Sequence, residues 1–270
     1  MIGHDSRWHA GAVPEAPPRI TVAIPSLNHG RFLDEAIASV LAQSVPVEVM
    51  VADAGSTDET PAVIARWAPK LSGWKSSPDA GQSHAVNEAI ARGKAPYVAW
   101  LGADDTYMPD GLAKMADALD AHPDAPMVYA RAWITNEAGH KRTPAGLMPA
   151  NRFVLSRRCP ICQPATLIRR SVWDALGGLD PDLDYAMDYD LWWRILLRFG
   201  APLQSADFVA TSRAHMDTKT ARGRVRHNAE AVAVVRRHHG SVPIKWRLAW
   251  PVSVLARSLY FRIRTTKMRR

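Results

Sequence analysis

Only two cysteines, Cys159 and Cys162, occur in 270 residues. A single pair is no disulfide framework, and it suits a reducing compartment. Structural zinc normally takes four ligands, and no second CxxC and no HxxxH accompanies Cys159-Pro-Ile-Cys162, so two plain thiols are expected there. Long apolar runs are also missing. No stretch reaches the roughly 18 residues of a bilayer span. Met1 to Arg19 is polar and broken by Pro14, Pro17 and Pro18, which does not read as a signal peptide. Residues 1–18 are expected to be loosely tethered. Acid is absent from the last forty residues, where ten Lys or Arg lie between Ala231 and Arg270. The net charge of +8 therefore combines a tail of +10 with a body of −2. Internal repeats and low-complexity tracts are absent as well. An apolar content of 47% and a charged content of 22% are ordinary for a globular chain of this length.

The first hundred residues alternate strand and helix. Ile20 to Pro25 reads as a buried strand. Phe32 to Gln43 follows with apolar residues at helical spacing. Val47 to Ala52 is a strand, Thr60 to Trp67 a helix with Pro61 in its first turn, Trp74 to Ser77 a short strand, and Gln82 to about Ala91 a helix. The apolar run Tyr97 to Leu101 closes the series. This alternation predicts a parallel sheet with helices on its faces, an α/β fold. Further on, the pattern predicts helices at Pro109 to Ala121, Arg170 to Leu176, Tyr189 to Phe199 and Gly223 to His239. Strand character lies at Met127 to Asn136 and Leu203 to Ala210, and residues 141–160 read as loop-rich.

Each early strand delivers polar residues at its C-terminal tip: Pro25-Ser-Leu-Asn28, Asp53 with Asp58, Asp79-Ala-Gly81-Gln82, and Asp104-Asp105. A parallel sheet lines such tips along one rim, where open α/β sheets bind ligands. Turn-forming residues alone would also give this composition. Gly81-Gln82-Ser83 can offer helix N-terminal N–H groups to a phosphate. Adjacent carboxylates repel unless a cation or protons lie between them, and hard divalent metals bind through one or two carboxylates plus substrate phosphates.

Pro25-Ser-Leu-Asn28, Val51-Ala-Asp53-Ala-Gly-Ser-Thr-Asp58, Asp79-Ala-Gly-Gln82-Ser-His-Ala-Val-Asn87 and Ala103-Asp104-Asp105 together resemble family 2 glycosyltransferases. The resemblance covers about Ile20 to His215. It implies the GT-A fold: a Rossmann-like, mostly parallel sheet flanked by helices, with an irregular acceptor-side half. The domain would span 19–240, with a nucleotide-binding half at 19–107 and an acceptor-side half at 108–240. It implies Pro25 and Asn28 beside the base and ribose, Asp53 bonded to the base, and Asp79, Gly81 and Gln82 at the donor. Asp104 would meet the ribose or a metal-bound water. Asp105 would ligate Mn²⁺ or Mg²⁺, with His215 reaching the metal or diphosphate. Arg213, Lys219 and Arg222 would close over the diphosphate. Ala103 stands where some members carry another acid.

Tyr185-Ala-Met187-Asp188-Tyr-Asp190 resembles the segment that holds the catalytic base, with Met187 where many members have Glu. Asp188 is the expected general base and Asp190 its rival; on residue chemistry alone Asp188 also reads as a helix N-cap. Gln163 and Thr166 are implied on the acceptor side. The implied donor is a nucleoside diphosphate sugar, UDP favoured and GDP or dTDP open. The acceptor is a saccharide or lipid-linked hydroxyl, in bacterial cell-surface polysaccharide or glycolipid synthesis. A sugar-nucleotide nucleotidyltransferase would want a Gly-rich basic loop where Ser26-Leu-Asn-His-Gly30-Arg31 stands; a non-catalytic binding module is the other alternative.

Residues 241–270 combine Trp246, Trp250, Tyr260 and Phe261 with Arg and Lys. Such a composition fits a basic amphipathic segment on an anionic membrane surface, and equally a helix docked on the body. It matches no recognised nucleic-acid fold, so no nucleic-acid partner is expected. The implied location is cytoplasmic, peripheral on the inner face of the membrane.

Overall fold

The structure is a computed structural model, and it describes residues 8–12 and 16–246. Most of the basic segment at 241–270 thus lies outside the described residues. The first element of the described residues is a two-residue strand, His9–Ala10 (β1). Three strand–helix units follow: Ile20–Ser26 (β2) with Gly30–Leu41 (α1), Val47–Asp53 (β3) with Thr60–Trp67 (α2), and Gly73–Ser76 (β4) with Gln82–Arg92 (α3). Next come Tyr97–Trp100 (β5), Thr106–Tyr107 (β6), Gly111–Ala121 (α4), Met127–Thr135 (β7), Lys141–Pro144 (β8) and Arg152–Leu155 (α5). The chain continues through Thr166–Arg169 (β9), Arg170–Leu176 (α6), Met187–Phe199 (α7), Leu203–Arg213 (β10), Lys219–Arg222 (α8) and Arg224–His239 (α9).

The strands form one sheet in the order β1-β4-β3-β2-β5-β9-β7-β10-β6, with β8 beside β7. From β4 to β5 the pairings are parallel. β9 runs antiparallel between β5 and β7, so β7 and its parallel neighbour β10 point the same way as β5. Six strand tips, those of β2, β3, β4, β5, β7 and β10, therefore open on one rim. That rim carries the site.

Two-residue alternation sorts each strand onto two faces. Ile20, Val22 and Ile24 of β2 pack with Leu33, Ile37 and Val40 of α1 and with Leu112 and Leu119 of α4. Ala23 and, from β5, Val98 and Trp100 pack on the other face with Val86 and Ile90 of α3, Trp173 of α6 and Trp192 of α7. Each such fully buried aliphatic side chain contributes about 1.5–3 kcal/mol. The result is a three-layer α/β/α body, the architecture the alternation predicts.

Four departures have physical causes. Residues 8–12 are not loosely tethered. His9 stacks on Trp74 at 4.0 Å, the Trp8 indole donates to Glu88 Oε1 at 2.6 Å, and β1 pairs with β4, covering an otherwise open sheet edge. The loop-rich stretch 141–160 contains β8 and α5. β9, a short apolar run, is drawn into the sheet by partners on both sides. Finally, α7 starts at Met187, which places Asp188 in its first turn and leaves Ala186 as N-cap.

Candidate active site

Two compartments meet on the rim. One, of about 370 Å³, is lined by Pro25, Leu27, Ala52 and Ala54 and by Asp79, Gly81 and Gln82. The other, of about 710 Å³, is lined by Asp105, Gln163, Met187 and Asp188. Gln82, Gly102, Asp104, Tyr185 and Lys219 line both, so the two are halves of one cleft. Their size and single sidedness match small-molecule sites.

Asp104 sits at the junction. Its Oδ2 lies 2.9 Å from His215 Nε2. A ligand atom from each of His29, Asp104 and His215 falls within 4.8 Å of the others. The second nitrogen of each ring is held by backbone: His29 Nδ1 donates to Leu27 O at 2.8 Å, and His215 Nδ1 accepts the Asp217 N–H at 3.3 Å. The His29 bond is of the kind that orients a metal-ligating imidazole, whereas the His215 bond leaves that ring's proton on Nε2, donated to Asp104, so His215 must change tautomer before Nε2 can ligate. Two imidazoles and a carboxylate are a donor set that a divalent transition metal accepts. The residues present fit a divalent cation. Burial works to raise the Asp104 carboxyl, but the His215 bond and the nearby His29 outweigh it and hold it below the usual value.

Asp105, the expected metal ligand, is placed differently. Its Oδ1 accepts the Arg213 backbone N–H at 2.8 Å, and the three-residue cluster does not include it. Burial and the adjacent Asp104 charge push its carboxyl well above the ordinary range. A Cβ on Gly102 would stand 2.9 Å from Asp104 Oδ1 and 3.1 Å from Asp105 Oδ2, so glycine leaves both carboxylates their room.

Other expected site residues turn inward. Asp53 is fully buried, and its carboxylate accepts from Ser56 N–H at 3.1 Å and from the Ser56 and Ser76 hydroxyls. It shapes the β3–α2 loop and is not among the residues that line the two compartments. Asn28, at φ +54°, accepts the Thr57 N–H at 2.9 Å and ties the β2 and β3 loops together, while its neighbour His29 lines the cleft. Arg213 lines the larger compartment, but its side chain is also a strut. Its guanidinium donates to Asp104 O at 2.9 Å, to Glu137 O at 2.7 Å and to Glu35, and it packs over Phe32. Thr166 is 1% exposed and donates to Gln163 O at 2.7 Å, supporting Gln163 from behind.

Pro25, Asp79, Gly81 and Gln82 do line the cleft. Asp79 accepts the Gly81 N–H at 2.8 Å, and Gly81 at φ +113° starts α3 in a conformation that L side chains rarely adopt. Lys219 lies 3.4 Å from Gln82 Oε1, its ammonium held below the usual lysine value by burial against the pull of Asp184, Glu230 and Asp79. Arg222 lines the smaller compartment and pairs with Asp217 at 2.7 Å. Gln163 lines the larger one and donates to Trp100 O at 2.7 Å.

Asp188 and Asp190 separate cleanly. Asp188 lines the larger compartment, and burial raises its carboxyl above the ordinary value against the Tyr189 N–H and nearby His227. Asp190 is 0% exposed and is engaged by Arg194 at 2.6 Å, His238 at 2.7 Å and Arg237 at 3.3 Å. Despite burial, those partners hold it below the ordinary value. The free thiol of Cys162 is pushed up to about 12 by burial, Asp105 and Asp188, which leaves it protonated and unreactive.

A family model, "Glycosyl transferase family 2", matches residues 21–177. The chain belongs to glycosyltransferase family 2. The fold agrees: with S. aureus TarS 1-349 in complex with UDP-GlcNAc the TM-score is 0.62 at 16% identity, covering 83% of this chain and 67% of that one. A mannosyltransferase from Pyrobaculum calidifontis, in complex with GDP-Man and Mn²⁺, gives 0.60 at 22%, covering 84% and 68%. These likenesses establish the GT-A fold. By sequence the chain is 25% identical over 213 residues to an uncharacterized glycosyltransferase of Rickettsia typhi, covering 73% of this chain and 64% of that relative. It is 27% identical over 180 residues to a PGL/p-HBAD biosynthesis glycosyltransferase of Mycobacterium tuberculosis, covering 65% and 68%. The chain thus spans a little under two thirds of the length of the rickettsial relative.

Around the cleft, sequence reasoning missed His29 and Glu230. His29 obeys the same strand-tip rule as Asn28, one residue away. Glu230 gives no local signal: it reaches from α9 to accept the N–H groups of Tyr185 at 2.7 Å and Ala186 at 3.0 Å, pinning the turn before Asp188. Glu230→Ala is expected to lower kcat with nucleotide affinity unchanged and to destabilise the fold by about 1.5–3 kcal/mol. Steady-state kinetics alongside urea titration checks both.

Proposed function

We propose that this family 2 member transfers a sugar from a nucleoside diphosphate donor to a hydroxyl acceptor, by one displacement with inversion. The observation that carries this reading is the His29–Asp104–His215 cluster at the junction of the two compartments, with Asp188 lining the larger of them. In this reading the nucleotide occupies the smaller compartment against Pro25, Ala52 and Ala54. Gly81, Gln82, Lys219 and Arg222 face its diphosphate. His29, Asp104 and His215 would hold Mn²⁺ in preference to Mg²⁺, and the cation would supply charge neutralisation for the departing diphosphate. Asp188 takes the proton of the acceptor hydroxyl. The freed oxygen forms its bond to the anomeric carbon as the carbon–oxygen bond to the diphosphate breaks, and the nucleoside diphosphate leaves. A carboxylate with a raised pKa is suited to that proton transfer.

The relatives support a setting in bacterial cell-surface polysaccharide or glycolipid synthesis, since PGL/p-HBAD biosynthesis is named for one of them. UDP is the favoured nucleotide, with GDP and dTDP open. The acceptor is a saccharide or a lipid-linked hydroxyl. No described helix is long and apolar enough to cross a membrane. The basic segment after residue 240 is proposed to hold the protein on the inner membrane surface. Met187, where a Glu often stands, favours one second reading, a GT-A module that binds nucleotide without turnover.

Calorimetric titration with UDP, GDP and dTDP, each with and without Mn²⁺, tests the donor site. One nucleotide is expected to bind in a metal-dependent way, and Asp104→Ala to abolish that dependence while Asp105→Asn retains it. Absence of binding by all three to folded protein would overturn the reading.

A further inference from the structure

Two acid-free stretches meet at one place on the surface. No Asp or Glu lies between Glu137 and Asp174, and none follows Ala231. The indole of Trp246 donates to Ser156 O at 2.8 Å, which seats the segment 244–246 against α5. Phe153 on α5 is 64% exposed and Ile244 is 69% exposed. Around them stand Arg152, Arg157, Arg158 and Lys245. The Arg157 guanidinium lies 3.6 Å over the Phe153 ring and donates to Phe153 O at 3.1 Å. Lys245 is held below the usual lysine value, by its partial burial and then by Arg158 and Arg157, so these cations do crowd together.

We propose that α5 and the segment 244–246 form a docking face for an anionic lipid bilayer, which turns the Asp188 end of the cleft toward the membrane surface. Two protruding apolar side chains ringed by cations match an interface with acyl chains inside and anionic headgroups at the rim. A second copy of the chain does not fit, because a symmetric contact would press these cations on one another. Further, the remaining residues leave the described structure at Trp246, and 247–270 add seven Lys or Arg and no acid. The face is coupled to the site by short links. The Tyr189 hydroxyl donates to Leu155 O, and Tyr189 follows Asp188 directly. The orienting half of the proposal rests on the reading of Asp188 as the acceptor end.

Co-sedimentation of the full chain with vesicles tests it. Wild type is expected to pellet with an equimolar mixture of phosphatidylcholine and phosphatidylglycerol and to stay in solution with phosphatidylcholine alone. A variant carrying Phe153→Ser, Arg158→Gln and Lys245→Gln is expected to partition at least about tenfold more weakly. Arg152→Glu alone, at an exposed position, should move partition in the same direction. Unchanged partition in both variants overturns the proposal and assigns any vesicle binding to 247–270. Failure of wild type to bind the mixed vesicles, or equal binding to both vesicle types, also overturns it. Calorimetry with nucleotide and Mn²⁺ on the same samples reports on the catalytic reading separately. Weakened partition with nucleotide binding intact supports both; weakened partition in a protein that never binds nucleotide keeps the docking face and removes the orienting half.

Discussion

Asp188→Asn is expected to lower kcat by about 10²–10⁴-fold, with nucleoside diphosphate affinity unchanged and melting temperature equal or higher. The amide keeps the shape and the Tyr189 N–H contact but cannot accept the acceptor's proton. The stability half follows from the sign of the shift. Burial holds the Asp188 carboxyl above its ordinary value. The folded state thus favours the protonated form, and ionising Asp188 works against folding at every pH above the ordinary carboxylate pKa of about 3.9. Removing the charge relieves that opposition. The same shift predicts that wild-type kcat/KM falls on its acid side at a pH above that ordinary value. Kinetics across pH, set beside thermal melts of both proteins, would check all three statements. A variant that turns over at the wild-type rate would remove Asp188 from the reaction.

Two residues along the same helix, the opposite is expected. Asp190→Ala should destabilise the protein by about 3–5 kcal/mol, toward the lower end of that range. Its removal leaves Arg194 and His238 facing an empty, buried position. The lower end applies because Arg194 keeps bonds to Leu176 O at 3.1 Å and Gly178 O at 2.8 Å. The sign in pH is also opposite. Asp190 is held below its ordinary value, so its contribution is complete above the ordinary carboxylate pKa and is lost as pH falls toward the folded value. Urea titrations of wild type and Asp190→Asn should therefore differ most near neutral pH and converge in acid. Nucleotide affinity of the folded fraction should not change. Equal stability at neutral pH would show that Arg194, Arg237 and His238 do not depend on Asp190.

This pair shows what the sequence makes legible and what it hides. Apolar runs in β2, β3 and β5 and helical spacing in α1 are one-dimensional patterns, and they were readable because burial follows local periodicity. The rim was readable too, since parallel strands force polar tips onto one side. Which way a tip side chain turns was not. Asp53 ends β3 and Asp79 follows β4 by three residues, yet Asp53 closes on Ser56 and Ser76 while Asp79 borders the cleft. The choice depends on Ser56, three residues on in the same loop, and on the Ser76 hydroxyl that β4 delivers. Likewise Arg213 is drawn inward by Glu35 and Glu137, residues far away in the chain. His29 was overlooked beside Asn28, because its partners Asp104 and His215 arrive from β5 and β10. Long-range closure decided these cases, and no local pattern encodes it.

The reversed strand between β5 and β7 bears on how the protein is made. While β5 emerges from the ribosome, its outer edge is bare, and the four residues of β9 that cover it come about seventy positions later. At about 5–20 residues per second that interval is roughly 3–14 s. An uncovered edge of Tyr97-Val-Ala-Trp100 is a template for pairing with other chains. The segment 19–107, proposed as the nucleotide-binding half, is therefore no separable module. Expressed alone it should aggregate, and in the whole chain its survival depends on whatever shields that edge until residue 169 has been added.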